Sequence, residues 1–191
     1  MLPLLFAAGC RNDKIQSYRV PKESPDQSAP ANPHVVSTNI REIPKGESEL
    51  PHWAPPAHWQ EQSPSPMRVA SFRAKNNGGE SDISISKLSG TGGGTLANIN
   101  RWRGQIGLEM LTESSLATVT KPLDPKTPNA ILVDMTGTDS KTGRPTRLVA
   151  AIVPQIEETW FYKMTGDPAA VEGETEIFLK FVRSANYEHN H

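Results

Sequence analysis

Cysteine occurs once in the 191 residues, at Cys10, which excludes an intrachain disulfide and a cysteine-based zinc site. Histidine is nearly as scarce. The five are His34, His52, His58, His189 and His191, so none falls between Gln60 and Glu188. A histidine base is therefore missing from the stretch between Gln60 and Glu188, which removes Ser-His and Cys-His nucleophilic mechanisms built within it. No Gly-x-Ser-x-Gly elbow and no His-Glu-x-x-His pair occurs. Neither sign of charge dominates: 20 basic residues against 21 acidic ones give a formal net charge of -1, with no reason to expect a nucleic-acid partner. No segment approaches the ~20 apolar residues needed to span a bilayer. Hydrophobic residues make up 36%, low for a chain folded throughout. The carboxylates Asp82, Asp134, Glu157 and Glu158 remain for glycosidase-type chemistry, but the exposed face of a sheet carries such residues anyway. The expectation is a protein without catalytic residues, metal or cofactor.

Proline, by contrast, is plentiful. Ten of the 17 lie between Pro21 and Pro66. From Arg11 to Glu49 apolar residues are sparse and no period of 2 or 3.6 persists, so this segment reads as a disordered tether. A proline-rich tether is stiffer than a Gly/Ser one and holds a domain clear of whatever anchors it. Residues 1–10 supply a candidate anchor. Leu2-Pro-Leu-Leu-Phe-Ala-Ala-Gly9-Cys10 is a short apolar run closing in small residues, as a signal peptide does before its cleavage site. It resembles the bacterial lipobox, with Ala7 where Leu is usual. That resemblance implies a diacylglycerol on the Cys10 thiol, cleavage before Cys10 and acylation (palmitate) of the new amino group. The run lacks a basic leader, which a start placed too far downstream accounts for. Acyl chains hold a protein on a membrane surface without a spanning helix. Arg11 after the cysteine resembles lipoproteins sent on to an outer membrane facing the periplasm.

The folded domain is expected over residues 50–188. At its start, His52-Trp53 and His58-Trp59 flank a Pro-Pro pair. Two imidazoles suggest a metal or haem contact, but no carboxylate or cysteine stands at ligand spacing. The pattern fits better with Trp53 and Trp59 pinning the tether's end to the domain. Met67–Arg73 and Asp82–Leu88 alternate as strands around the turn residues Asn76-Asn77-Gly78-Gly79. A helix follows with Leu96, Ile99, Trp102 and Ile106 as its apolar stripe and Gly107 at its end. Strands are then expected at Ala130–Met135, Arg147–Val153 and Thr159–Met164. Asp167 and Pro168 open a last helix with Val171, Phe178, Phe181 and Val182 on its inner side. Hairpin connections dominate, so the class is α+β: an antiparallel sheet of five to six strands covered by helices.

Between the first strand pair and the first helix, Gly90-Thr91-Gly92-Gly93-Gly94-Thr95 is placed where a phosphate loop occurs. The dinucleotide fingerprint needs glycine or alanine where Thr95 stands and an acidic residue at the end of a second parallel strand. Glu109 and Glu113 lie in a polar link instead. A P-loop needs a lysine, and none lies between Lys87 and Lys121. The run thus reads as a flexible crossover. The helix face beside it is more informative. Asn98, Asn100, Arg101, Arg103 and Gln105 mix amides with arginines, unlike a merely solvated Lys/Glu face, and arginine is favoured at interfaces. Gly92, Gly93, Gly94, Asn98, Arg101 and Arg103 are accordingly the candidate binding residues, for a protein partner or an anionic ligand. In the competing expectation Arg101 or Arg103 bonds the sheet edge and Trp102 is core.

Thr159-Trp-Phe-Tyr-Lys-Met-Thr-Gly-Asp-Pro168, continuing to Phe178-Leu-Lys-Phe-Val-Arg-Ser184, resembles the end of PsbP-like domains. Bacterial members of that fold often close in a Trp-Phe-x-Lys-x-Thr-Gly strand and a helix ending Phe-x-x-Phe-x-x-Ser. The resemblance covers about 26 residues and implies a fold whose members mostly bind other proteins. Anchor, tether and domain together lead to the expectation of a membrane-anchored lipoprotein at the bacterial cell envelope. It would be a monomeric, non-enzymatic binding or accessory module with an envelope protein as partner. The alternative is a small-ligand binder or carboxylate-based hydrolase built on Gly90–Gly94, Arg101 and Arg103.

Overall fold

In the strand at Gly79–Ser89, Ile83 and Ile85 alternate with Asp82, Ser84 and Ser86. A period of two sends the two sets to opposite faces of a sheet, and both isoleucines are fully buried. The computed structural model describes residues 51–187 apart from 64, 126 and 128. The lipobox and Cys10, the tether at 11–49, and His34, His189 and His191 lie outside the described residues.

Seven strands form one antiparallel sheet: β1 (Gln60–Glu61), β2 (Ala70–Asn76), β3 (Gly79–Ser89), β4 (Thr120–Pro122), β5 (Ile131–Thr138), β6 (Pro145–Pro154) and β7 (Glu158–Gly166), in the order β1-β2-β3-β7-β6-β5-β4. The α+β class holds, but the expectation of five to six strands falls short. The additional edge strands β1 and β4 have two and three residues, too short for any periodicity to show. The first strand also starts later than Met67, at Ala70. Arg68 N–H bonds Ser65 O at 3.1 Å and turns the chain there.

The long central strand β7 pairs with β3 through nine residues and with β6 through eight. Trp160, Tyr162 and Met164 point to one face of β7 and Phe161 to the other, all of them buried. The helix α3 (Pro168–Arg183) covers the first face with Val171, Phe178, Leu179, Phe181 and Val182. Asp167 precedes Pro168 as expected, but its side chain caps no helical N–H and instead accepts from Glu80 N at 3.1 Å.

The second face is covered only in part. Helix α1 (Thr95–Gln105) packs Ile99 and Trp102, with Ile106 just past its end, onto Val133, Met135, Leu148, Ala150, Ile152 and Phe161. That covers β5, β6 and β7. A Cβ on Gly137 of β5 would meet Ile106 O at 2.1 Å, so glycine lets the helix end approach the strand. The four-residue helix α2 (Leu116–Val119) follows in the link to β4. On the same face, among the described residues, β2 and β3 have no helix over them and carry Arg73, Lys75, Asp82, Ser84 and Ser86. Uneven coverage of this face positions the site.

Trp59 and Trp53 do attach the N-terminal segment to the domain. Trp59 is 7% exposed and stacks edge-on against Phe181 at 5.2 Å. Trp53 packs edge-on against Trp160, Tyr162 and Phe181 at 5.9–6.4 Å. What the sequence did not reveal is their polar partner. Glu174 of α3, 3% exposed, accepts from Trp59 Nε1 at 3.0 Å and Asn76 Nδ2 at 3.4 Å, and contacts His58 Nε2 at 2.9 Å. Among the described residues no group of three or more His, Cys, Asp or Glu is placed to hold a metal ion, and no helix is long and apolar enough to cross a membrane.

Candidate functional site

A half-open cleft of about 180 Å³ lies where α1 stops and the bare part of the sheet begins. Its floor is Ser84, Ser86 and Leu88 of β3 with Phe161 and Lys163 of β7. Arg101, Trp102 and Gln105 of α1 form one wall, and Met67 and Arg68, just before β2, form the other. Period two places Lys163 here: it alternates with Trp160, Tyr162 and Met164 and shares the face of Phe161. The Met67 wall is held down by Ser86 Oγ, which donates to Met67 O at 2.8 Å. The floor is apolar at one end, where Trp102 meets Phe161 edge-on at 6.2 Å.

Three cations thus converge on one cleft. Arg68 is partly neutralised by Asp82, with Nη1 at 3.2 Å from Oδ1 and 3.1 Å from Oδ2. Arg101 and Lys163 form no ion pair among the described residues. Arg101 Nη2 donates to Asn98 Oδ1 at 2.8 Å, and Lys163 Nζ donates to Gln105 Oε1 at 3.1 Å. Burial pushes the Lys163 ammonium below the usual lysine range, repulsion from Arg68 and Arg101 adds to it, and Asp82 offsets part. A perturbed lysine in a cleft with unbalanced positive charge marks a place built for an anion. Arginine offers a planar fork and lysine a point charge, so together they suit a carboxylate or a phosphate.

The candidate residues from the sequence divide among three places. Arg101 is in the cleft. Asn98 is adjacent but buried, 4% exposed, and so is not the exposed recognition residue expected. Its Nδ2 donates to Gly92 O at 2.8 Å and to Gly94 O at 2.7 Å. With both N–H donors used by the loop, Oδ1 is left to receive Arg101, and the amide orientation follows from its partners. Asn98 therefore transmits the glycine loop's geometry to the Arg101 guanidinium. Asn100, 8% exposed, exchanges two hydrogen bonds with the backbone of Leu111 at 2.7 and 3.0 Å and is likewise structural.

Arg103 points elsewhere. Its Nε donates to Glu109 O at 2.6 Å, and its Nη1 lies 3.9 Å from Met135 Sδ. Two positions along a helix turn the side chain by about 200°, so Arg101 and Arg103 do not form one site. Gly92 is at φ +60 and supports the cleft from behind: a Cβ there would sit 2.6 Å from Phe161 Cζ. Gly93 and Gly94 line a different, shallow depression of about 580 Å³ with Thr95, Leu96, Glu113, Leu116 and Ile131, a wall without a basic residue. Sequence reasoning missed Arg68 and Lys163. The signal for Lys163 was available: a lysine in an otherwise apolar run, Trp160-Phe-Tyr-Lys-Met164.

The described residues thus form an α+β domain in which they leave one sheet face partly uncovered, with a basic cleft at the edge of its cover. No family model matches the chain, and no curated protein does. Among solved structures it is similar to PA94, a protein of unknown function from Pseudomonas aeruginosa, with 12% identity and a TM-score of 0.42, over 66% of this chain and 95% of that one. It is also similar to LpqN, involved in cell envelope biogenesis in Mycobacterium tuberculosis, with 10% identity and a TM-score of 0.36, over 75% of this chain and 85% of that one. Overlaps of this size carry no conclusion about family or activity.

Proposed function

We propose that this protein is a lipid-anchored accessory module of the bacterial cell envelope, a PsbP-like domain that docks on a protein partner through the basic cleft. The observation that carries the docking reading is the cleft itself: Arg68, Arg101 and Lys163 line it together, and among the described residues only Arg68 of the three has an ion-pair partner, Asp82. Its lining of guanidinium, ammonium, amide, hydroxyl and aromatic edges recognises an anion by complementarity. The module is read as non-enzymatic because the lining offers no carboxylate pair and its two hydroxyls, Ser84 Oγ and Ser86 Oγ, donate to the backbone carbonyls of Lys163 and Met67 rather than to a base. The anchor reading rests on Ala7-Ala-Gly-Cys10 and the proline-rich tether behind it, and PsbP-likeness on the Trp-Phe-x-Lys-x-Thr-Gly strand. That strand is the centre of the sheet, flanked by β3 and β6.

Fractionation of cells expressing the full chain tests the anchor. Wild type is expected with membranes and Cys10→Ser in the soluble fraction; a Cys10→Ser protein that stays with membranes overturns lipidation. Crosslinking in the native envelope tests docking. Arg101→Ala is expected to lose the partner and Arg103→Ala to keep it, and unchanged recovery with Arg101→Ala sinks the reading.

A further inference from the structure

The size and wetness of the cleft limit what can enter it. Pockets for whole small-molecule ligands run to ~300–1,000 Å³ and enclose most of the ligand. At about 180 Å³ and open on one side, this cleft has room for one short side chain. A free acid of that size would leave much of its surface in water and gain little. The same group carried on a folded partner arrives already positioned, at a high effective concentration. Met67 at the rim is 72% exposed, and methionine, arginine and aromatic residues are those that protein interfaces favour. Because Asp82 already occupies Arg68, Arg101 and Lys163 are the cations left for the incoming group.

We propose that the cleft receives one acidic side chain, aspartate or glutamate, of the partner protein. Its carboxylate is held between the Arg101 guanidinium and the Lys163 ammonium, and its methylene stem lies against the Phe161–Trp102 edge. Met67 contacts the partner beside it. Gln105, bonded to Lys163 Nζ in the free protein, yields that donor to the carboxylate. The inference rests on the docking reading above and names the chemistry that the partner must present.

A zero-length crosslink reports this geometry directly. A carbodiimide activates a carboxyl, a touching lysine amine displaces the resulting urea, and an isopeptide bond forms. Applied to envelopes carrying the full chain, it is expected to join Lys163 to an Asp or Glu of one partner, mapped by peptide sequencing in a mass spectrometer. Arg101→Gln should lower the yield of that link about tenfold or more, the worth of one charge-assisted hydrogen bond. Arg103→Gln should leave it unchanged. Lys163→Arg keeps the charge, so it should abolish the link and still retain the partner with a longer amine-reactive crosslinker acting through other lysines. Should the partner be recovered in an Arg101-dependent way with Lys163 linked to no carboxylate, the acidic insertion is refuted and the docking face stands. No Arg101-dependent partner with either reagent refutes both. Titration with N-acetylglutamate separates the remaining source: binding weaker than ~1 mM fits a partner-borne side chain, whereas micromolar binding assigns the cleft to a free acid and overturns the proposal.

Discussion

Replacing Glu174 by alanine should destabilise the domain by about 3 kcal/mol, with most of the loss arising at Trp59. The carboxylate is 3% exposed and receives three polar groups, but they are not equally dependent on it. His58, whose side chain is 45% exposed, regains water. Asn76 Nδ2 retains Ala170 O at 3.0 Å, so its loss is a fraction of a kilocalorie. The Trp59 indole N–H, in a residue 7% exposed, has no other acceptor among the described residues and is left buried and unsatisfied at about 1–3 kcal/mol. Deleting the side chain also leaves a small cavity worth about 1 kcal/mol. Glu174→Gln keeps the shape and one acceptor but sets an amide against donors, so it should lose about 1–1.5 kcal/mol. Urea titration should show both losses as a lower midpoint at constant slope, with a fall in Tm of about 10 °C for the alanine variant. Acid should remove the same contribution. Burial alone would raise the carboxyl's pKa, but hydrogen bonds from Trp59, His58 and Asn76 and the His58 charge outweigh it, so the pKa lies below the usual range. The contribution is therefore complete above about pH 4.3 and is lost as pH falls through the lowered folded value. Wild type and Glu174→Gln should converge there. A loss under about 0.5 kcal/mol for Glu174→Ala, or a variant difference constant down to pH 2, refutes the assignment of Glu174 as the clamp.

Lys163→Met removes a cation that burial and two arginines disfavour, so it should stabilise the domain by about 0.5–1 kcal/mol while abolishing partner recovery. Its wild-type counterpart binds fewer protons folded than unfolded between its lowered pKa and about 10.4, so stability should climb with pH through that window. A flat profile by thermal melts across it contradicts this environment. Gly92→Ala places a Cβ 2.6 Å from the Phe161 ring at φ +60 and should cost about 1–3 kcal/mol. Gly93→Ala, with nothing near its Cβ, should cost only the backbone part of that. Arg147→Lys loses the two-pronged contact with Asp134, where Nε and Nη2 lie 2.9 and 2.7 Å from the two carboxylate oxygens. About 1 kcal/mol in a denaturant titration is expected.

The sheet and helices were legible because each repeats a period over many residues. Ile83 and Ile85 at spacing two, and Ile99, Trp102 and Ile106 at spacing three and four, declare their faces without help from the rest of the chain. The two-residue β1 and three-residue β4 have no period to read and exist only because β2 and β5 offer free edges to pair with. The crossover that puts β7 between β3 and β6 is equally silent in the sequence. Without it nothing brings Lys163 beside Ser84.

The site shows the same division more sharply. Arg101 was legible as an arginine on a polar helix face. Asn98 carries the same polarity and was placed on that face too, yet it is buried, because loop carbonyls of Gly92 and Gly94 satisfy its amide. Polarity alone cannot distinguish an amide facing water from one facing backbone. Arg68 lies 33 residues before Arg101 in the chain and Lys163 lies 62 after it, so no spacing rule could associate them. The glycine run is where these levels meet. It cradles no phosphate by any motif, but its carbonyls fix Asn98, Asn98 fixes Arg101, and Gly92 lets Phe161 form the cleft floor. A residue type chosen for backbone freedom thus acts on a binding site one side chain removed. If that is its role, Asn98→Ala should weaken the Lys163 crosslink while Arg101 is still present. Full crosslink yield with Asn98→Ala would reduce the loop to a connection between β3 and α1.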